Sequence, residues 1–337
     1  MWRFLQTQVL QNYSRYKLLE RLYRRARPAS VPARYPTDLN IELTSVCNAK
    51  CVFCTHETLV RGGLKLSKHM SLDFAKMVLD RLRALTESLG IPDHEIRLGP
   101  VGLGEPLLFP HFAEVVRYAR ELFPRAFIHA NTNCLSLKGD RAAQLIDSGL
   151  DGLILSLCYN TPELYKERMG VDAYATVVKN IEAFLKFKSN RAPRTIIHIF
   201  DAPENVPGFP AFMQHWGARL NQNDFAGLYK YLPLTDWTPK PGVKSPCSQL
   251  WNVMMVDVDG FVYPCCIGVW TRKDDDLCLG HISDAPNVLL DQVRAIRARH
   301  IAGDFGICDG CGSLSELREE NRIAYETIQK RDGFHQR

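Results

Sequence analysis

Cys47, Cys51 and Cys54 stand at C-x3-C-x2-C spacing in one short segment, Thr44-Ser45-Val46-Cys47-Asn48-Ala49-Lys50-Cys51-Val52-Phe53-Cys54. Three thiolates so close in sequence can converge on a single inorganic centre. A structural zinc ion wants a closed set of four ligands, and the local set stops at three. Thiolates equally suit iron–sulfur clusters, and a cubane held by three cysteines leaves one iron able to bind something else. A second set lies in the last third of the chain: Cys247, then Gly260, Cys265 and, after a long gap, Cys308-x2-Cys311. Four thiolates from two separated segments match either a fully ligated 4Fe-4S cluster or a structural zinc. Their spacing alone leaves the two open.

The elements that must position these groups follow from hydrophobic periodicity. Strands are predicted at Leu39 to Leu43, Ile96 to Leu103, Ala126 to Ala130, Gly152 to Leu157, Thr195 to Phe200 and Gly227 to Leu232, and helices at Ser71 to Leu89, Phe112 to Leu122, Asp140 to Ser148, Tyr174 to Lys188 and Phe209 to Leu220. Strands alternating with helices imply α/β architecture, a parallel sheet with right-handed crossovers curled into a partial (β/α)6, TIM-like barrel. Active sites of such barrels lie at the carboxyl ends of the strands, and the first cysteine loop directly follows the first strand. Beyond the prolines at 233, 239 and 241 the pattern changes. Val253 to Val256, Asp259-Gly260 and Phe261 to Tyr263 read as a β-hairpin, and a helix is predicted from Asn287 to Ala302. Three segments result: a basic amphipathic helix and linker over 1–35, the barrel over 36–240, and a cysteine-rich hairpin and helix unit over 241–337.

Composition narrows the class. At 337 residues, 46% hydrophobic and 23% charged, the chain can bury a large core. Its eleven cysteines are odd in number and clustered, which argues for metal binding over a disulfide framework. No apolar run is long enough to span a bilayer. The segment opening Met1-Trp2-Arg3-Phe4-Leu5 lacks a secretory pattern, so a cytoplasmic protein with reduced thiols is expected. The net charge of +5 is concentrated in residues 1–35, where eight cations face the single acid Glu20. That arm reads as a basic amphipathic helix, suited to packing on the body, to a partner, or to an anionic membrane surface as a peripheral contact.

The first cysteine loop, with Phe53 at its aromatic position, resembles the C-x3-C-x-(aromatic)-C signature of the radical S-adenosylmethionine (radical SAM) enzymes. Gly102-Leu103-Gly104-Glu105-Pro106, at the end of the second predicted strand, is similar to that family's Gly-Gly-Glu-Pro element, with Leu103 in place of the first glycine. Asn133, ending the third strand, and Ser156, ending the fourth, resemble the family's polar cofactor contacts. The C-x12-G-x4-C half followed by a distal C-x2-C resembles the auxiliary-cluster domain called SPASM in its shortened twitch form. The resemblance implies a SAM-binding 4Fe-4S cluster on Cys47, Cys51 and Cys54. It also implies S-adenosyl-L-methionine near Phe53, Gly104, Glu105, Pro106, Asn133 and Ser156, and a second 4Fe-4S cluster on Cys247, Cys265, Cys308 and Cys311.

The family's chemistry is one-electron cleavage of S-adenosylmethionine to a 5′-deoxyadenosyl radical that abstracts hydrogen from a substrate carbon. An auxiliary cluster offers a place for a second electron, so the resemblance implies an oxidoreductase of dehydrogenase type. Its substrate would be a small carbohydrate-like or natural-product molecule, and its electron donor a protein such as flavodoxin or ferredoxin. Epimerisation, with Cys266 or Cys278 returning hydrogen, is the main alternative. Peptide modification is another, disfavoured because only 46 residues precede Cys47 where a leader-binding domain would need more. Cys266 and Cys278 also compete with Cys265 as ligands, whereas Cys134 and Cys158 read as small core residues. Arg168, Asp201 and Glu204 read as exposed charge. From a different class, a zinc-stabilised nucleic-acid-binding protein explains the cysteines and the basic arm but leaves the barrel pattern and Gly104-Glu105-Pro106 without a role. No nucleic acid is expected.

Overall fold

The computed structural model describes residues 35–229, 247, 249–271 and 277–302. The predicted amino-terminal helix and linker, the connector that follows residue 229, and Cys308 and Cys311 lie outside the described residues. The described elements are β1 (Asp38–Ile41), α1 (Thr55–Arg61), α2 (Leu72–Ser88), β2 (Arg97–Gly99), α3 (Phe112–Leu122), β3 (Phe127–Thr132), α4 (Asp140–Ile146), β4 (Gly152–Cys158), α5 (Pro162–Met169), α6 (Tyr174–Lys188), β5 (Arg194–Phe200), α7 (Phe209–Gly217) and β6 (Phe225–Tyr229). They are followed by α8 (Gln249–Asn252), β7 (Val253–Val256), β8 (Phe261–Tyr263), α9 (Cys266–Thr271), β9 (Gly280–His281) and α10 (Pro286–Ile301).

Contacts divide the chain into two compact units. One holds Asn48–Val52 and the chain from His129 onward through β6; the other holds the remaining residues from Tyr35 to Ile128 together with the carboxyl-terminal segment. In the first unit the end of β3 pairs with β4, β4 with β5 and β5 with β6, all parallel. In the second, the start of β3 pairs with β2, β2 with β1 and β1 with β7, again parallel, and β7–β8–β9 continue antiparallel. Parallel strands with intervening helices and no closure make this an α/β fold of the partial-barrel kind, as the alternation predicts.

Residues directly opposite in a parallel ladder point to the same side, so register separates two faces of the β3–β6 sheet. One carries Ala130, Thr132, Leu153, Leu155, Thr195, Ile197, Ile199 and Ala226, each 2% exposed or less. Helix α6 touches β4 and helix α7 touches β6, the amphipathic layer that makes this burial possible. The other face carries His129, Asn131, Ile154, Ser156, Ile196, His198, Phe200 and Tyr229, most of them half-buried or exposed.

A buried ion pair pins the entry to this sheet. Lys188 Nζ lies 3.0 Å from Asp224 Oδ2, with both side chains 1% exposed. Asp224 Oδ1 also accepts the Thr195 N–H at 2.8 Å, so the pair fastens the end of α6 to β5. Two strand–helix details differ from expectation. Strand β2 is only three residues because Pro100 cannot donate to a ladder. The hairpin's β7 also pairs in parallel with β1 along Asp38–Ile41, which makes it a continuation of the barrel-side ladder.

Candidate functional site

The cysteine loop begins where β1 ends. Cys54 occupies the N-cap position of α1 in extended conformation, so the loop passes straight into a helix. Burial pushes the Cys54 thiol up, partly offset by backbone N–H groups at His56 and Glu57. A thiol in that position becomes a thiolate ligand when an iron supplies the compensating positive charge. The buried His56 ring bonds the Ser45 carbonyl at 2.9 Å, which closes the loop back on its own start.

The Gly102–Pro106 turn is fastened to the same segment by backbone. The Glu105 N–H donates to Val46 O at 2.8 Å. A Cβ on Gly104 would lie 2.2 Å from Thr44 O and 2.7 Å from Val46 O, so only glycine permits this approach. The Glu105 carboxylate, 3% exposed, accepts the Leu107 N–H at 3.1 Å and caps the short turn Pro106–Leu108. The carboxylate thus holds the turn.

Glu42 escaped the sequence reasoning and is central here. It is fully buried, with Oε1 accepting the Leu103 N–H and Oε2 the Val258 N–H, each at 3.0 Å. A Cβ on Gly102 would fall 2.4 Å from Glu42 Cγ, so Gly102 is glycine to make room for this carboxylate. One side chain therefore ties the end of β1 to the glycine-containing turn and to the β7–β8 turn. The available signal was a carboxylate in an otherwise apolar strand, Leu39-Asn40-Ile41-Glu42-Leu43.

Within the other unit, Asn48–Val52 is held by the end of α5. Lys50 N–H donates to Met169 O at 3.1 Å and Val52 N–H to Arg168 O at 2.9 Å. Cys51 Sγ lies 3.7 Å from Met169 Sδ. Gly170 has φ +67°, and a Cβ there would meet Lys50 O at 2.3 Å. Asn133 donates to Asn48 Oδ1 at 2.8 Å and accepts the Leu135 N–H at 3.0 Å, and Asn48 donates to Ser136 at 3.2 Å. Asn133 thus supports the loop. Ser156 sits half-buried on the face of the sheet opposite α6 and α7, in register with His198, and Phe53 is half-buried beside Cys54. Arg168 and Glu204 pair with each other at 2.9 Å, in keeping with an expectation of ordinary surface charge.

Cys47, Cys51 and Cys54 form no disulfide. Among the described residues no group of three or more His, Cys, Asp or Glu side chains is gathered at metal-binding geometry. The donor set nonetheless fits a cubane: three thiols within eight consecutive residues, on a loop whose start meets a glycine-permitted backbone turn.

In the carboxyl-terminal segment, Gly260 adopts φ +95°, and the Asp257 carboxylate accepts the N–H groups of Asp259 and Phe261 at 2.9 Å each. This is the tight hairpin that the Gly-x4-Cys half requires. It delivers Cys265, 6% exposed, just past β8. The Cys247 N–H donates to His300 Nε2 at 3.1 Å, and buried Arg297 donates to the carbonyls of Leu250 and Trp251 at 2.9 and 3.2 Å, so α10 fixes the turn after Cys247. Cys266 opens α9, and Cys278 Sγ lies 3.7 Å from Gly280 O. Cys134 and Cys158 are buried, as expected of small core residues. Both have positive φ, +65° and +64°, a conformation uncommon outside glycine.

Comparison with known proteins agrees with this geometry. Residues 41–206 match the model of the radical SAM superfamily, and residues 247–312 match SPASM, an iron–sulfur cluster-binding domain; together they cover well over half the chain. The chain belongs to the radical SAM superfamily and carries a carboxyl-terminal SPASM domain. Its cofactors are accordingly S-adenosylmethionine, a SAM-binding 4Fe-4S cluster and an auxiliary iron–sulfur cluster.

Among curated relatives, a probable GTP 3′,8-cyclase of Saccharolobus islandicus is 34% identical over 146 residues, 43% of this chain and 42% of the relative. A GTP 3′,8-cyclase of Mycobacterium marinum is 36% identical over 124 residues, 37% of this chain and 32% of the relative. The matched stretch spans less than half the length of these relatives. Among solved structures, anSMEcpe with bound AdoMet superposes with TM-score 0.59 at 16% identity, covering 88% of this chain and 92% of that one. BtrN in complex with AdoMet and 2-DOIA gives TM-score 0.51 at 18% identity, covering 85% and 95%. At these identities the likeness is one of fold. No helix among the described residues is long and apolar enough to cross a membrane.

Proposed function

We propose that this radical SAM enzyme catalyses a two-electron oxidation at a hydroxyl-bearing carbon of a small, carbohydrate-like substrate. When bound, the cluster and S-adenosylmethionine supply a 5′-deoxyadenosyl radical that removes a hydrogen atom from carbon. The chain's own residues do the rest. Cys47, Cys51 and Cys54 supply the three thiolates, Gly104 and Glu105 shape a backbone surface for the methionine moiety, and Phe53 and Ser156 line the cofactor's approach. The barrel wall keeps solvent from the reacting groups.

The observation that carries the oxidative reading is the second thiol set. The Gly260 hairpin and α10 hold Cys247 and Cys265 in the SPASM segment, and Cys308 and Cys311 would complete four ligands for a cluster able to accept the second electron. A thiol-dependent epimerase, using Cys266 or Cys278, would need no net electron acceptor. We place the enzyme in the cytoplasm, where thiols stay reduced, served by a flavodoxin- or ferredoxin-type donor. The basic arm offers a peripheral membrane or partner contact.

A second reading follows from the curated relatives: a GTP 3′,8-cyclase would close a ring on a purine nucleoside triphosphate. The discriminating experiment supplies cyclitols, aminosugars and GTP separately to the anaerobic holoenzyme in deuterated water. A carbonyl product without solvent deuterium on carbon supports the oxidase. A stereoinverted product carrying deuterium identifies an epimerase, and a cyclised nucleotide identifies the cyclase.

A further inference from the structure

Among the groups on the face of β3–β6 opposite α6 and α7, one is different. His198 is 7% exposed, and its Nδ1 is buried with no hydrogen-bond partner. Its ring stands 4.9 Å from Tyr229 and 5.9 Å from Phe200, centroid to centroid. It is directly in register with Ser156 on β4 and Gly227 on β6, and Phe200 is in register with Tyr229. Asn131 lies on the same face, one position before the end of its strand pairing. A hydroxyl, an amide, an imidazole and two aromatic rings thus share one face of four adjacent strands. The opposite face of the same strands is packed and largely apolar.

A buried polar atom without a partner costs stability, and a ligand that completes the bond removes that cost. The neutral imidazole can accept a hydrogen bond on one nitrogen and donate on the other. That dual capacity suits a hydroxyl, which is itself both donor and acceptor. Flanking aromatic rings give the apolar C–H face of a ring-shaped polyol a surface to lie on.

We propose that the His198 imidazole hydrogen-bonds a hydroxyl group of a cyclic polyol substrate lying on the His198–Phe200–Tyr229 face, with Ser156 on the neighbouring strand left to the cofactor. The inference rests on the oxidative reading above, and it names the residue that recognises the substrate class. Nothing in the sequence marks His198, since a lone histidine in an apolar strand carries no motif.

The test is equilibrium dialysis of radiolabelled myo-inositol and glucosamine against the full-length holoenzyme with S-adenosylmethionine present. Wild type, His198→Phe, His198→Gln and Thr195→Val are compared. Thr195 is on the packed face of the same strand, three residues away, and serves as the control for strand disturbance. The expected result is at least a tenfold loss of affinity in His198→Phe, recovery to within about threefold in His198→Gln, whose amide can also donate and accept, and wild-type affinity in Thr195→Val. Equal affinity in wild type and His198→Phe overturns the inference while leaving the oxidative reading intact. An equal loss in Thr195→Val overturns it too, because strand disturbance then explains the effect. Failure of the wild type to bind either polyol overturns the substrate class and the His198 inference together.

Discussion

Two regions of the molecule are built on opposite principles. Around Gly102–Pro106 the geometry is fixed by backbone and by one buried carboxylate: Gly104 meets Thr44 O and Val46 O, and Glu42 bonds Leu103 and Val258. On the face of β5–β6 opposite α7 the side chains His198, Phe200 and Tyr229 project from a regular ladder, and His198 Nδ1 is left without a partner. The first arrangement suits a ligand common to a whole superfamily, because backbone groups do not vary with sequence. The second suits a ligand peculiar to one enzyme, because side chains do. Our proposal gives cofactor handling to the one and substrate recognition to the other.

The largest expected effect sharpens the first half of that contrast. Replacing Cys47, Cys51 and Cys54 together by alanine should abolish reductive cleavage of S-adenosylmethionine. Iron should fall from about eight to about four per chain, since each cubane holds four. Replacing Cys308 and Cys311 should cost the same iron yet leave uncoupled cleavage measurable. Iron analysis and 5′-deoxyadenosine release after anaerobic reconstitution check both. Full iron content in either variant would contradict the two-site assignment.

Glu42→Ala comes next. It leaves two buried N–H groups without an acceptor, at about 1–3 kcal/mol each. Denaturant unfolding should therefore show a loss of about 2–5 kcal/mol, together with weaker S-adenosylmethionine binding. Glu42→Gln should recover only part of this, because its amide offers one acceptor where the carboxylate offers two. A stability equal to wild type in both variants would mean that the turn is held by something else.

The substrate-facing region should show itself in the pH dependence of stability. Burial lowers His198 from about 6.5 to about 4, so the folded state keeps the imidazole neutral while the unfolded state binds a proton. Stability is then complete above about pH 6.5 and declines as pH falls toward 4, by at most about 1.4 kcal/mol per pH unit from this group. His198→Phe should flatten that part of the profile in urea titrations at pH 7, 6 and 5. An unchanged slope would show that the ring is solvated.

The smallest effect concerns residues 1–34. If this arm lies on an anionic surface, the intact chain should co-sediment with phosphatidylserine vesicles at low salt, and a chain starting at Tyr35 should not. Physiological salt should weaken the association, because charges are screened beyond about 8 Å. Equal sedimentation of the two chains would refute a membrane role for the arm.

Much of this was legible in the sequence because it is local. Strong 3.6-residue periodicity fixed α3 and α6 at both ends, and the β7–β8 hairpin followed from Asp259-Gly260. Helix α5 was missed although Thr161 caps it and Pro162 opens it, since only Tyr165 and Met169 of its eight residues are buried. Its carbonyls hold the cysteine loop, a task that leaves no side-chain signature. The parallel pairing of β7 with β1 and the bond of Glu42 to Val258, 216 positions away, join distant residues, which no local pattern reports. Among candidate residues, the cysteines were visible by spacing and Gly104 by its resemblance to the family's Gly-Gly-Glu-Pro element. The Glu105 side chain also caps the following turn, which the motif does not report.

The most direct test of the division between cofactor and substrate regions is isotope transfer. Anaerobically reconstituted enzyme with S-adenosylmethionine and a reductant is given, in separate reactions, carbon-deuterated cyclitols and aminosugars or 3′-deuterated GTP. Mass spectrometry then reads the 5′-deoxyadenosine. The account predicts deuterium from a cyclitol or aminosugar, no deuterium from GTP, and loss of the transfer in His198→Phe. Deuterium arriving from GTP alone would contradict it.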